Sequence, residues 1–277
     1  MFSTHQDGCI GNGQIYYHQI INYRMAVKPL VTIITTALNC DKTLEATICS
    51  VSGQSYANIE YIVVASKSHD GTLGIIDRYK DKIGKVIFDE PRGIYAALNC
   101  GLKAASGDII GILNSDDLYF DNGVIARVVK EFEADNLDAL WGDLIYIKRD
   151  NPDKIIRYWQ SAYPSLKDFK RGWMPPHPAL FIRKGIFDKF GLYVTGFKFS
   201  SDYEMALRLF YKHQIKGAYI PKVFIKMRQG GRGDSSLIVK TIEDYRIARS
   251  YGLNFFSVLL KKALKIKQFL IRPEKIS

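Results

Sequence analysis

At positions 114 to 117 the chain places Asn, Ser, Asp and Asp in succession, directly behind the apolar run Ile109-Ile110-Gly111-Ile112-Leu113. A bounded apolar run of this length reads as a strand buried on both faces, as in a parallel sheet. Side chains released at the C-terminal edge of such a strand lie where open α/β sheets bind ligands. Adjacent carboxylates there form a hard-oxygen site suited to Mg²⁺ or Mn²⁺ carrying a diphosphate. Asp116 and Asp117 equally suit the cap of a following helix, and the residues alone leave both readings open.

Such a site needs a sheet to carry it, and the preceding residues supply one. β-branched and apolar runs predict strands over Leu30–Thr36, Ile59–Ala65 and Lys85–Phe88. Helical spacing predicts helices over Lys42–Gln54, Leu73–Tyr79 and Ile94–Ala104 between them. Strands alternating with helices at this spacing mean βαβ units and a mostly parallel α/β sheet. Beyond Asp117 the alternation loosens. A helix is expected over Val124–Phe132 and strands over Ala139–Lys148, Ile155–Tyr158 and Ala179–Ile182. Short helices are expected over Lys184–Phe190 and Asp202–His213. The aromatic, Pro- and Gly-rich stretch Tyr163–Pro178 suits a substrate-facing loop. Its Tyr163, Phe169 and Trp173, with nearby Trp159, could stack on sugars or simply fill the core.

Charge and cysteine usage narrow the class. A formal net charge of +11 over 277 residues implies an anionic partner: nucleotide, nucleic acid or acidic membrane. Paired carboxylates at a strand edge argue against nucleic acid. Cys9, Cys40, Cys49 and Cys100 form no CxxC pair and suggest neither a zinc knuckle nor a disulfide framework, which fits a reducing cytosol. Residues 1–24 lack the apolar core of a signal peptide and read as an extension ahead of the first strand. Near the C-terminus, Phe255, Leu259, Ala263, Ile266 and Leu270 share one helical face, with Lys261, Lys265 and Gln268 on another. Residues 253–277 are therefore expected to form a basic amphipathic helix. It could lie on an anionic membrane surface or pack on the domain.

Four blocks in order resemble the family 2 glycosyltransferases of the GT-A fold, particularly the bacterial enzymes building colanic acid, capsule and O-antigen repeats. The blocks are Val31–Thr36 with Ser50–Gln54; Glu60–Val64 leading to Asp70-Gly71-Thr72; Glu90-Pro91-Arg92-Gly93-Ile94-Tyr95 through Asn99 and Gly101 to Gly107-Asp108 and Asn114–Asp117; and His177-Pro178-Ala179 with Ser201–Glu204. The resemblance implies a GT-A domain over residues 25–252, with nucleotide-sugar half 25–118 and acceptor half 119–252. It makes Asn114-Ser115-Asp116 the DxD-type motif, with Asp116 the metal ligand for Mg²⁺ or Mn²⁺ and Asn114 and Asp117 facing the ribose, donor sugar or hydrated metal. It places Thr36 against the base, Arg92 and Asn99 at the diphosphate, and His177 on the acceptor side. Asp202 would be the general base of an inverting displacement, and it would equally cap the helix it opens. The Gly-rich loop Gly230–Ser235 would close over the donor, while Asp70-Gly71-Thr72 reads as a turn without chemistry.

The implied activity is a metal-dependent inverting transfer of a hexose from a UDP- or GDP-linked donor to a lipid-linked saccharide in envelope polysaccharide synthesis. The enzyme would work on the cytoplasmic face of the membrane, with no nucleic-acid partner. A nucleotidyltransferase would need a Gly-rich, Arg-containing loop after the first strand, where this chain has Thr36-Ala37-Leu38-Asn39. Departures from the family pattern keep a rival open, namely an impaired nucleotide-sugar or glycan-binding relic. Ala65 and Ala96 stand where carboxylates are usual, Ser66-Lys67 replaces small residues, and the Glu90–Gly93 loop is one residue short.

Overall fold

The computed structural model describes residues 28–90, 92–230 and 237–267. Residues 1–27, residues 231–236, on which most of the expected Gly-rich loop Gly230–Ser235 falls, and the positions beyond Lys267 lie outside the described residues. Strands β1 (Val31–Ala37), β2 (Ile59–Ala65), β3 (Lys85–Phe88) and β4 (Ile109–Ile112) pair in parallel in the order β3-β2-β1-β4. They alternate with helices α1 (Leu44–Ser52), α2 (Thr72–Arg78) and α3 (Ile94–Ala104). Along each strand the apolar residues feed two cores in turn, because successive side chains point to opposite faces. Ile33, Val63 and Ile109 join Leu44, Ile48 and Ile75 on one face, while Ile34, Ile62, Val64 and Ile110 join Leu98 and Leu102 on the other.

The second half extends this sheet with mixed polarity. After β4 come a two-residue strand β5 (Leu118–Tyr119), helix α4 (Val124–Ala134), the long strand β6 (Ala139–Lys148) and β7 (Asn151–Trp159). They are followed by helix α5 (Leu166–Lys170), the 3₁₀ turn His177–Ala179, strand β8 (Leu180–Arg183) and helix α6 (Lys184–Phe190). β8 runs antiparallel between β4 and β6, so the sheet continues β4-β8-β6-β9-β5. β6 is long enough to pair β8 through Ala139–Trp141 and then β7 from Leu144 on, while β9 (Gly217–Arg228) runs parallel to it. Gly111 is required where β8 crosses, since a Cβ there would lie 2.6 Å from a ring carbon of Phe181.

Several expectations need correction. The Asp116-Asp117 pair caps no helix: α4 begins seven residues on, behind Gly123. Tyr163–Pro178 is not wholly loop, for Ser165 and Asp168 form a capping box that starts α5. Helix α7 (Ser201–Ala206) has Ser200 as its N-cap, so Asp202 is an internal first-turn residue, and the helix continues as a π-helical turn over Leu207–Lys212. Unforeseen are β9 and helix α8 (Leu237–Ser250). Helix α9 (Phe255–Lys267) forms, and its orientation departs from the reading that packs its apolar face on the domain. Lys261, assigned to the polar face, is buried and paired with Asp244, while Phe255 and Leu259 point outward.

Candidate active site

The residues singled out by type collect at one edge of the sheet, and the topology shows why. Asn114–Asp117 follow the C-terminal end of β4. Because β8 is antiparallel to β4, with Ile110 opposite Ile182 and Gly111 opposite Phe181, the turn carrying His177 precedes β8 at that same edge. α3 follows parallel strand β3, so its first turn, with Tyr95, also starts there. The Tyr95 hydroxyl donates to an Asp202 carboxylate oxygen at 3.4 Å. Asp116, His177 and Asp202, far apart in sequence, therefore share the C-terminal edge. This is also where the strand order switches between β1 and β4, the usual ligand crevice of open α/β sheets. Thr36, half-buried at the end of β1, borders it.

On the donor side the two adjacent carboxylates have opposite environments. Asp117 is fully buried, with its oxygens accepting from the Asn114 side-chain amide at 2.7 Å and the Arg228 backbone N–H at 3.2 Å. Burial, and then the charge of Asp116, push its carboxyl up to about 8. Asp117, shut away from the surface, thus locks the turn from within, where the resemblance implies a ligand-facing carboxylate, and the Asn114 amide holds it there. Asp116 keeps 24% of its side chain exposed, with an Arg149 guanidinium nitrogen 3.7 Å from its carboxylate. Arg228, buried at the end of β9, donates to the Asp116 carbonyl at 2.7 Å. Neither arginine belongs to a motif. The signals available were their places in the β6–β7 turn and just before a Gly-rich stretch.

Arg92 and Asn99 are both engaged within the chain. The Arg92 side chain is 64% exposed and pairs with Asp89 at 2.8 Å, which holds the Asp89 carboxyl below its usual range. Asn99 makes two bonds to the Tyr193 backbone: its amide nitrogen donates to the carbonyl at 2.8 Å, and its oxygen accepts from the N–H at 3.0 Å. Its polar atoms anchor the Tyr193 backbone, where the resemblance implies a contact with the diphosphate.

The acceptor side is an aromatic and acidic cluster. Asp202 also accepts from the Tyr203 backbone N–H at 2.9 Å, in a helix first turn where negative charge is favoured. Tyr95 stacks on Tyr193 with ring centroids 5.6 Å apart, and the Tyr193 hydroxyl lies 2.6 Å from His177 Nε2. Burial pushes the His177 imidazolium below its ordinary value, while the Asp202 charge pulls the other way. Burial, followed by the Asp202 charge, pushes the Tyr95 phenol far up, so it stays a hydrogen-bond donor. Distant residues brace the cluster. Glu243 of α8 accepts from the backbone N–H groups of Lys198, Phe199 and Ser200 at 2.7, 2.9 and 3.1 Å, fixing the turn before Asp202. Arg208 pairs with Glu204 at 3.0 Å and donates to the carbonyls of Gly191 and Leu192, holding the segment that carries Tyr193. Trp173 packs against Trp141 and Phe169 in an aromatic core, while Tyr163 is 72% exposed over Trp141.

A parallel four-strand half joined to a mixed half, with carboxylates gathered at the strand ends, is the GT-A glycosyltransferase architecture. Solved glycosyltransferases share it. TarS 1–349 of S. aureus in complex with UDP-GlcNAc superposes with a TM-score of 0.65 at 16% identity, over 80% of this chain and 65% of that one. Mannosyltransferase PcManGT from Pyrobaculum calidifontis, in complex with GDP-Man and Mn²⁺, gives 0.60 at 17% identity, over 92% and 81%. The sequence profile of glycosyl transferase family 2 matches residues 32–190, and the chain belongs to that family. It is 28% identical over 256 residues to an uncharacterized glycosyltransferase of Rickettsia prowazekii, covering 88% of this chain and 76% of that protein. Over 122 residues, 44% of this chain and 48% of the relative, it is 36% identical to WfaP of Escherichia coli, a UDP-Glc:alpha-D-GlcNAc-diphosphoundecaprenol beta-1,3-glucosyltransferase. The protein is a glycosyltransferase.

Proposed function

We propose that the enzyme transfers a hexose, with inversion, from a UDP- or GDP-linked donor to a lipid-linked saccharide. The setting is envelope polysaccharide assembly on the cytoplasmic face of the membrane. One observation carries this reading: the partly exposed carboxylates Asp116 and Asp202 stand at the same sheet edge, one beside guanidinium groups and the other beside phenols. A single displacement needs charge compensation for the leaving diphosphate and a base for the acceptor hydroxyl. Asp202 is the base. Hydrogen bonds from Tyr95 and the Tyr203 N–H orient its carboxylate. Arg149, within reach of Asp116, supplies positive charge for the diphosphate, and Arg228 sets the position of the Asp116 backbone. The nucleotide-bound TarS and PcManGT structures support a nucleotide-sugar donor, and WfaP supports a lipid-linked acceptor.

The residues fit a divalent cation, but sparingly. Among the described residues no three His, Cys, Asp or Glu side chains gather as a self-sufficient metal site. Asp116 offers one carboxylate, which suits Mg²⁺ or Mn²⁺, ions that take one or two protein carboxylates and complete their shell with phosphate and water. Bound there, the ion would neutralise charge developing on the diphosphate. Thermal shift against a panel of nucleotide sugars, with and without Mn²⁺, tests the proposal. One donor should stabilise the protein in a metal-dependent way, by about 2.7 kcal/mol at a hundred times its Kd. No stabilisation by any donor would overturn it and favour the relic reading. That reading is kept by Ala65, which is fully buried opposite Ala37 and offers no polar group to a base.

A further inference from the structure

Helices α8 and α9 leave an unusual amount of apolar surface uncovered. On α8, Leu237 and Ile238 are 70% and 74% exposed; on α9, Phe256 is 65% exposed. Ile242, Phe255 and Leu259 are also exposed, and between the helices lies a surface groove of about 380 Å³ bordered by Ile242, Tyr245, Arg246 and Phe255. The exposed charges on the described residues of the two helices are of one sign. Glu243 and Asp244 are the only acids in either helix, and both are buried and turned inward, Glu243 onto the backbone before α7 and Asp244 onto Lys261. Arg246 and Arg249 stay exposed.

We propose that α8 and α9 together form a docking surface for an anionic bilayer, with Leu237, Ile238 and Phe256 entering the headgroup layer and Arg246 and Arg249 facing lipid phosphates. The proposal rests on the lipid-linked acceptor argued above and names the surface that meets the membrane. An apolar strip flanked by cations is the composition that binds anionic interfaces. A second copy of the chain fits less well, because a two-fold contact through this face would bring like-charged arginines together without a carboxylate to offset them. The inner faces of the same helices hold the site. Glu243 fixes the turn before Asp202, and Lys261 bonds Asp244 while lying 3.5 Å from the Tyr203 ring centroid. Docking through the outer faces would therefore set Asp202 at a fixed height above the bilayer.

The test is co-sedimentation of the full chain with phosphatidylglycerol-containing vesicles and with pure phosphatidylcholine vesicles, in the absence of donor. Wild type should bind the anionic vesicles at least tenfold more tightly. Ile238→Glu with Phe256→Glu should lower the bound fraction at least tenfold, and Arg246→Gln with Arg249→Gln should remove the preference for anionic lipid. Both variants should keep the wild-type melting temperature and donor-induced thermal shift, which separates this surface from the donor site. Unchanged sedimentation by both variants overturns the proposal. So does a concentration-dependent dimer in analytical ultracentrifugation that Ile238→Glu with Phe256→Glu dissociates. Loss of the donor-induced shift in wild type would instead count against the transferase reading and leave vesicle binding standing.

Discussion

The donor and acceptor ends of the site are built differently. At the donor end Asn114, Asp116 and Asp117 lie within one tetrapeptide, and the turn closes on itself through the Asn114–Asp117 bond and two anchors from Arg228. At the acceptor end Tyr95, His177, Tyr193 and Asp202 come from four segments, held by Asn99, Arg208 and Glu243 from elsewhere. A locally closed turn behind a parallel strand needs only its own sequence and a neighbouring strand. An assembled cluster depends on each brace. Damage far from the chemistry should therefore reach Asp202 more readily than Asp116.

Removing the reacting carboxylates gives the largest effects and separates the two ends. Asp202→Asn should lower turnover on the order of 10³-fold while leaving donor affinity unchanged by isothermal titration; equal loss of both would break the division. Asp116→Asn should weaken donor binding and abolish its Mn²⁺ dependence, and turnover should fall with it because the leaving diphosphate loses its counter-charge. Next is the brace. Glu243→Gln replaces a carboxylate that accepts three backbone N–H bonds, and should cost about 1–3 kcal/mol of stability in denaturant titration. It should also lower kcat, with donor Kd unchanged. Wild-type kcat in that variant would show that the turn before Asp202 keeps its shape without help.

Asn99 sharpens the comparison from the other direction, since the family resemblance puts it at the diphosphate and the structure ties it to Tyr193. Asn99→Ala should destabilise by about 1–3 kcal/mol, the cost of leaving buried backbone groups unpaired. It should leave nucleotide affinity intact, and a nucleotide-specific loss at wild-type stability would restore the donor role.

The same division governs what was legible from sequence. Strands β2, β3 and β6 and helices α3 and α6 agree with their expected bounds to the residue, since apolar runs bounded by Gly, Pro and Asn are local signals. Asp116 and Asp202 were visible as members of ordered motifs. β9 was not: it is interrupted by Pro221 and mixes Lys222 and Lys226 among its apolar residues, and its pairing comes from β6, some eighty positions earlier. Arg149, Arg228 and Glu243 acquire roles only when the chain is folded, because each acts on a backbone or carboxylate remote in sequence. α9 shows another limit: a helical stripe is a local signal, but which face turns inward is set by the buried Lys261–Asp244 pair and the close approach of Gly172, where a Cβ would meet Lys261 at 2.5 Å.

The smallest expected effect comes from His177, where a sign can be worked out. Burial depresses its folded-state pKa below the ordinary 6.5, so as pH falls the unfolded chain takes up the proton first. The neutral imidazole therefore contributes stability that is complete above pH 6.5 and is lost as pH falls toward the folded-state value. His177→Gln keeps a polar partner for the Tyr193 hydroxyl and cannot titrate. Its melting temperature should change less than that of wild type across this window, a difference on the order of 2 °C. Parallel melting curves for the two proteins would mean that His177 protonates as freely folded as unfolded. The Tyr193–His177 contact would then be open to water, and the acceptor cluster looser than its hydrogen bonds imply.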